Sequence, residues 1–208
     1  MLSILQAAGW PIIPLLLCSV LALALIIERF LTLRAVKVAP ARLVDEVISV
    51  TRASLPTQDT IQKLAENSAL GMVLAQGLQV ASEPRMNEER LRSAVEGAGR
   101  LALHQLERNL NALGTIAAAA PLFGLLGTVI GMIEIFGASG SSSGASPQEL
   151  AHGISVALYN TAFGLMVAIP SLVAYRHFRG RVDAFALQME QGAERLVHHL
   201  LKVTATRR

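Results

Sequence analysis

Three long stretches of this chain contain no Asp, Glu, Lys or Arg: residues 1 to 27, 109 to 133 and 150 to 175. Each exceeds the roughly 20 residues that a helix needs to cross a hydrocarbon core of about 30 Å. The pattern predicts an all-α membrane protein with three transmembrane helices, placed at 9–27, 112–136 and 152–175. The polar stretches between them become a helical region at 28–111, a short loop at 137–151 and a helical tail at 176–208. The whole chain, 1–208, reads as one integral-membrane domain.

Within 28–111, Pro40, Pro56 and Pro84 stand where helices would end or restart. From Asn87 onward, Leu91, Val95, Ala98, Ala102, Leu106 and Leu110 recur at three- and four-residue spacing, and Glu96 precedes Arg100 by one turn. No breaker intervenes before Pro121, so one helix is expected from about 88 to 136. At 1.5 Å per residue that helix is some 70 Å long and projects well below the bilayer. The tail continues the third span in the same way. Two long helices cannot bury their apolar faces alone in so small a chain, and self-association is the natural solution. The loop, Gly/Ser-rich through "GASGSSSGASPQE", reads as a flexible connector.

Composition agrees with the pattern. The chain is 52% hydrophobic and only 16% charged, against the quarter usual in soluble domains. All 18 Lys and Arg lie in 28–108 or 176–208. That asymmetry places those segments in the cytoplasm, the N-terminus outside and the C-terminus inside. The net charge of +3 thus reports topology and contact with anionic lipid headgroups; no basic run interleaved with aromatics suggests nucleic acid. The first span lacks a basic segment before it, its positive flank being Arg29, Arg34 and Lys37, so it reads as a retained anchor with Trp10 at the interface. Glu28 and Arg29 mark its inner end. The single Cys18 excludes an intrachain disulfide and reads as a small apolar residue in a span.

The residues that could carry chemistry are few. In span 2, Gly124, Gly127 and Gly131 form a small-residue stripe of the kind that lets membrane helices approach closely. Thr128 lies on the same region of surface, its hydroxyl either bonded back to the carbonyl four residues earlier or facing a polar lumen. In span 3, Ala157, Thr161, Gly164 and Ala168 form a second small face, flanked by Tyr159 and Asn160. Asn160 is costly in a membrane unless paired, which suits an interhelical bond or a place on a pathway. Thr128 and Thr161 fall at comparable depth in antiparallel spans, so that several copies would build a ring of hydroxyls. Glu134, about 9 Å outward of Thr128, is an exposed interfacial carboxylate or a cation-collecting mouth. His198 and His199 point about 100° apart on a helix and read as a solvated end rather than a metal site. No nucleophile–base pair, metal-ligand spacing or phosphate loop occurs, so neither an enzyme nor a cofactor is expected. Neither an inverted repeat nor a pair of discontinuous helices suggests a solute transporter.

The runs "LERNLNALGTIAAAAPLFGLLGTVIGMI" and "GISVALYNTAFGLMVAIPSLVAY" closely resemble the MotA/TolQ/ExbB proton-channel family, over roughly residues 65–195 in motif. The three-span layout is similar to its ExbB/TolQ branch; the longer, four-span MotA stators fit less well. The resemblance implies a homopentamer in the bacterial inner membrane around a dimer of single-span ExbD-like subunits. It implies proton flow that drives a TonB-like protein, which carries the work to outer-membrane receptors. It also puts pore-lining roles on Thr128 and Thr161 and matches Pro121 and Pro170 to the family's prolines in spans 2 and 3. Many relatives carry a glutamate at the start of span 3, where this chain has Val156. The titrating acid is then expected on the partner, or the protein is a non-conducting scaffold. An ExbB role in uptake and a TolQ role in envelope integrity share these motifs.

Overall fold

The computed structural model describes residues 10–84, 86–139 and 147–206, and seven helices among them. They are α1 (Ile12–Thr32), α2 (Ala35–Val38), α3 (Leu43–Ala53), α4 (Gln58–Asn67), α5 (Ala69–Ala81), α6 (Glu88–Ser139) and α7 (Pro147–Thr206). Described residues contain helices and turns but no strand. Three of the helices, α1, α6 and α7, are long and apolar enough to cross a membrane.

Local chemistry accounts for most of the boundaries. Pro40, Pro56 and Pro84 fall between α2 and α3, α3 and α4, and α5 and α6. A further break has no proline. Ser68 ends α4 and caps α5, its hydroxyl accepting the Gly71 backbone N–H at 2.9 Å. Gly71 is required there, because a Cβ would stand 2.2 Å from the Leu64 carbonyl oxygen. At the start of α6, Asn87 accepts from the Arg90 N–H at 2.7 Å and Glu88 and Glu89 occupy the first turn. Pro121 and Pro170 sit inside α6 and α7 without ending them, as membrane helices tolerate. Helix also extends into both ends of the 137–151 stretch, through Ser139 and from Pro147; the rest of that loop lies outside the described residues.

The chain divides into two units. The first comprises Met1–Glu28 and Asn109–His177 and holds the apolar windows. Its packing inverts that of a soluble domain. Small residues are buried (Ala117, Ala120, Gly124, Gly127, Ala157, Gly164), while Leu17, Val20, Leu122, Ile133, Met166 and Val173 are exposed. Lipid solvates large apolar side chains at no cost, so the close approach of helix backbones is what remains to hold such a unit together. Near the C-terminal end of α1, Asn109 donates to the Glu28 carboxylate at 3.1 Å.

The second unit, Arg29–Arg108 with Phe178–Arg208, has a conventional core. Leu74, Leu78, Leu91, Val182, Leu196 and Leu200 are fully buried. Gly77 brings α5 against α6 and α7, where a Cβ would meet Val95 at 3.1 Å and Leu196 at 3.4 Å. Two arginine bonds tie the last turn of α1 and the residue after it into this unit. Arg29, only 6% exposed, donates to the Leu106 carbonyl at 2.9 Å. Arg181 donates to the Leu33 carbonyl at 2.9 Å. Surface ion pairs such as Arg92–Glu194 at 2.8 Å and Arg179–Glu107 at 2.8 Å add little individually.

His199 gives this unit a pH dependence. Its Nε2 is sealed from solvent without a hydrogen-bond partner, whereas neighbouring His198 is exposed. Burial, then the charges of Arg52 and Lys202, push its pKa below the ordinary histidine value of 6.5. The unfolded chain therefore takes up the proton first, and the neutral imidazole's contribution is complete above about pH 6.5 and declines as the pH falls further. Thermal unfolding in detergent should show the wild type losing stability below that pH relative to His199→Gln. Parallel pH curves would contradict this.

Candidate functional site

The small faces of α6 and α7 meet each other within the chain. A Cβ at Gly124 would stand 2.7 Å from the Asn160 carbonyl oxygen and 3.0 Å from the Thr161 Cα. One at Gly164 would stand 2.7 Å from the Ala120 oxygen, and one at Gly131 would stand 3.2 Å from the Ala157 Cβ. Toward one end of the hairpin Gly153 faces Ile135, and toward the other Gly114 faces Tyr175. Residue numbers on α7 fall as those on α6 rise, so the two helices form an antiparallel hairpin. The partner of the Gly124, Gly127 and Gly131 stripe is thus span 3 of the same chain.

Asn160 sits in the middle of this contact, 2% exposed. Its side chain occupies the notch at Gly127, where a Cβ would lie 2.8 Å from the Asn160 Cβ and 2.9 Å from its Nδ2. Tyr159, its neighbour, is 43% exposed and faces away.

Thr128 follows Gly127 by one residue, and Thr161 follows Asn160 by one. A step of about 100° per residue turns each threonine roughly 65° off the centre of its helix's contact face. On antiparallel helices the same rotational offset falls on the same side of the pair. Thr128 and Thr161 therefore share one flank of the hairpin, within about two residues (~3 Å) of the same level. Both are half-buried.

Phe123 and Phe163 precede Gly124 and Gly164 by one residue and so mark the other flank. Together with Val167 they pack against the cluster that Leu15 of α1 makes with Ala120 and Ala168. The first span thus occupies the phenylalanine flank and leaves the threonine flank open. Thr128 also borders a shallow groove of about 570 Å³ along α6, with Val129, Met132, Ile133, Phe136 and Gly137.

The Thr128 hydroxyl donates to the Leu125 carbonyl at 2.7 Å, three residues back rather than four. The two sequence-level options are therefore compatible: the proton bonds backward while the oxygen's lone pairs stay available to an acceptor-seeking neighbour. Glu134 is exposed near the C-terminal end of α6, away from Thr128 by more than a turn. Val156 lies within α7, but its side chain is outside the described residues. Sequence inspection did not find the seating of Asn160 on Gly127, nor the Arg29 and Glu28 bonds to α6; each joins residues far apart in the chain.

Residues 65–191 match the MotA/TolQ/ExbB proton channel family. A Synechocystis sp. protein named for biopolymer transport, ExbB-like 3, is 36% identical over 189 residues, covering 89% of each chain. The biopolymer transport protein exbB1 of Vibrio cholerae is 31% identical over 170 residues, covering 80% of this chain and 74% of its own. The Tol-Pal system protein TolQ of Haemophilus influenzae is 40% identical over 82 residues, covering 39% of this chain and 36% of its own. With three membrane-length helices, a glycine-packed hairpin and a family match over more than half its length, this chain belongs to the MotA/TolQ/ExbB proton channel family.

Proposed function

We propose that this chain is the proton-channel subunit of an ExbB/TolQ-type energy-transducing complex in a bacterial inner membrane. It spans the membrane three times with the N-terminus periplasmic, and uses the proton motive force to power TonB-dependent import across the outer membrane. In this reading five copies surround a dimer of single-span, ExbD-like subunits, and Thr128 and Thr161 from each copy line the pore. The work passes to a TonB-like protein.

The observation that carries the proposal is the pair of hydroxyls on one open flank of a hairpin whose apolar windows lack any carboxylate. Hydroxyls and water relay protons but do not titrate near neutrality. A channel of this construction needs an acid from elsewhere, and an intramembrane aspartate on the partner helix would meet the threonine flank. The same reasoning explains how conduction survives Val156 in place of the family glutamate.

The reading is tested by proton flux into vesicles holding either this protein alone or its co-assembly with an acid-bearing single-span partner. Flux is expected from the co-assembly and little from the protein alone. Equal conduction by the pure oligomer would overturn the proposal. Val156 favours a second reading, a non-conducting scaffold, which a co-assembly that never conducts would support. The TolQ relative supports a variant in which the same engine serves envelope integrity.

A further inference from the structure

We infer that Asn160 is a positioning residue: seated in the Gly127 notch, it sets the register and rotation of α7 on α6 and thereby holds Thr128 and Thr161 on one flank. The inference rests on the hydroxyl reading above for its functional consequence, but its geometry stands apart from it.

Two properties of the contact carry the argument. The first is steric. Asn160 approaches Gly127 so closely that Cβ, Cγ and Nδ2 all fall within 2.9 Å of where an alanine methyl would stand. A shift of α7 along α6 by one residue would drive the amide against the backbone of α6 beside the notch. The second is solvation. A primary amide facing lipid is strongly disfavoured, and Asn160 is 2% exposed. Rotation of α7 toward lipid would therefore expose the amide, whereas rotation of an all-apolar face would cost little. A buried polar side chain at one position of an otherwise permissive helix interface is a known means of fixing register.

Ile135 on Gly153 and Tyr175 on Gly114 also seat a large side chain on a glycine, but they lie toward the two ends of the hairpin and neither is a buried amide beside a threonine. Gly124 with Gly164 and Gly131 with Ala157 are approaches between small groups, which allow closeness but tolerate sliding. Asn160 and Gly127 are also the residues immediately before the two threonines. A change at this contact therefore moves the hydroxyls directly. The role differs from that of a pathway group, which would have to meet the proton itself.

The test uses the full-length protein co-assembled with its acid-bearing partner, and two measurements. One is proton flux. The other is crosslinking yield between Thr128→Cys and Thr161→Cys with a short thiol reagent, in a Cys18→Ser background, which reports register without depending on conduction. Gly127→Ala should lower both flux and yield about tenfold or more, because displacement of reacting groups by about 1 Å is enough for such losses. Asn160→Ala should lower both less, by about threefold, since the notch is emptied rather than blocked. The Gly127→Ala/Asn160→Gly double variant also removes the Asn160 Cβ, which would stand 2.8 Å from the new methyl, and should return both to within about threefold of the wild type. Recovery holds the inference even if Gly127→Ala alone does not assemble.

A double variant no better than Gly127→Ala, or an Asn160→Ala protein with unchanged flux and yield, would overturn it. Complete loss of flux in Asn160→Ala with normal crosslinking would also overturn it, because Asn160 would then lie on the path. Full flux in a Thr128→Val/Thr161→Val protein would instead remove the hydroxyl reading, and the crosslinking yields alone would decide the positioning role.

Discussion

Proton flux through the co-assembled complex is expected to fall about a hundredfold when both hydroxyls are removed by Thr128→Val with Thr161→Val. Valine keeps the branched shape of threonine, so the close contact of Gly124 with the Thr161 backbone is retained. What is lost is a donor and acceptor at each of two positions on the open flank. The Thr128 hydroxyl already directs its proton to Leu125, leaving its lone pairs as the functional part. Without them, a water chain passing this level has only apolar walls, among them Val129 and Met132. Oligomer size and partner retention should be measured on the same preparation and should match the wild type. Unchanged flux would refute the assignment of both threonines.

Gly124→Val is expected to destabilise the membrane unit by about 3 kcal/mol or more, and to deplete the assembled protein in the membrane. The reason lies in what the new atoms would meet. At Gly124 the nearest groups are the Asn160 carbonyl at 2.7 Å and the Thr161 Cα at 3.0 Å. The reciprocal site, Gly164, faces the Ala120 carbonyl at 2.7 Å and the Gly124 Cα at 3.1 Å. These are backbone atoms on both sides, so no side chain can swing away and the helices themselves must separate. Separation would open the hairpin over the levels that hold both threonines. Gly99 provides the contrast, having nothing within 4 Å of its hypothetical Cβ. Gly99→Ala should be neutral or stabilise the helix by up to about 1 kcal/mol. Melting curves of the purified variants distinguish the two cases, and equal melting of Gly124→Val and wild type would refute the packing account.

The helices were legible because their causes are local. Uncharged windows long enough to cross a bilayer, three prolines at junctions and a 3.6-residue apolar period are properties of adjacent residues, and they predicted α1, α6 and α7. The break at Ser68 was harder: a serine cap without a proline is a weak signal, and its meaning depends on Gly71 approaching the Leu64 carbonyl. The MotA/TolQ/ExbB relationship was likewise readable from two contiguous runs. The glycine stripe could be recognised as a packing face, and Thr128 and Thr161 could be placed near one level by counting.

Only the tertiary structure decided which surface the stripe meets. A row of small residues fits any close helix, in another copy or in the same chain, because van der Waals attraction in lipid carries no address. The structure pairs it with α7, which consumes the glycine faces and puts α1 on the phenylalanine flank. The threonines are then left together on the uncovered side. It also gave Asn160 its place: a buried amide and a glycine 33 residues apart become one contact. Sequence spacing defines the angles around each helix, whereas the rotation of one helix against another is a property of the packed pair.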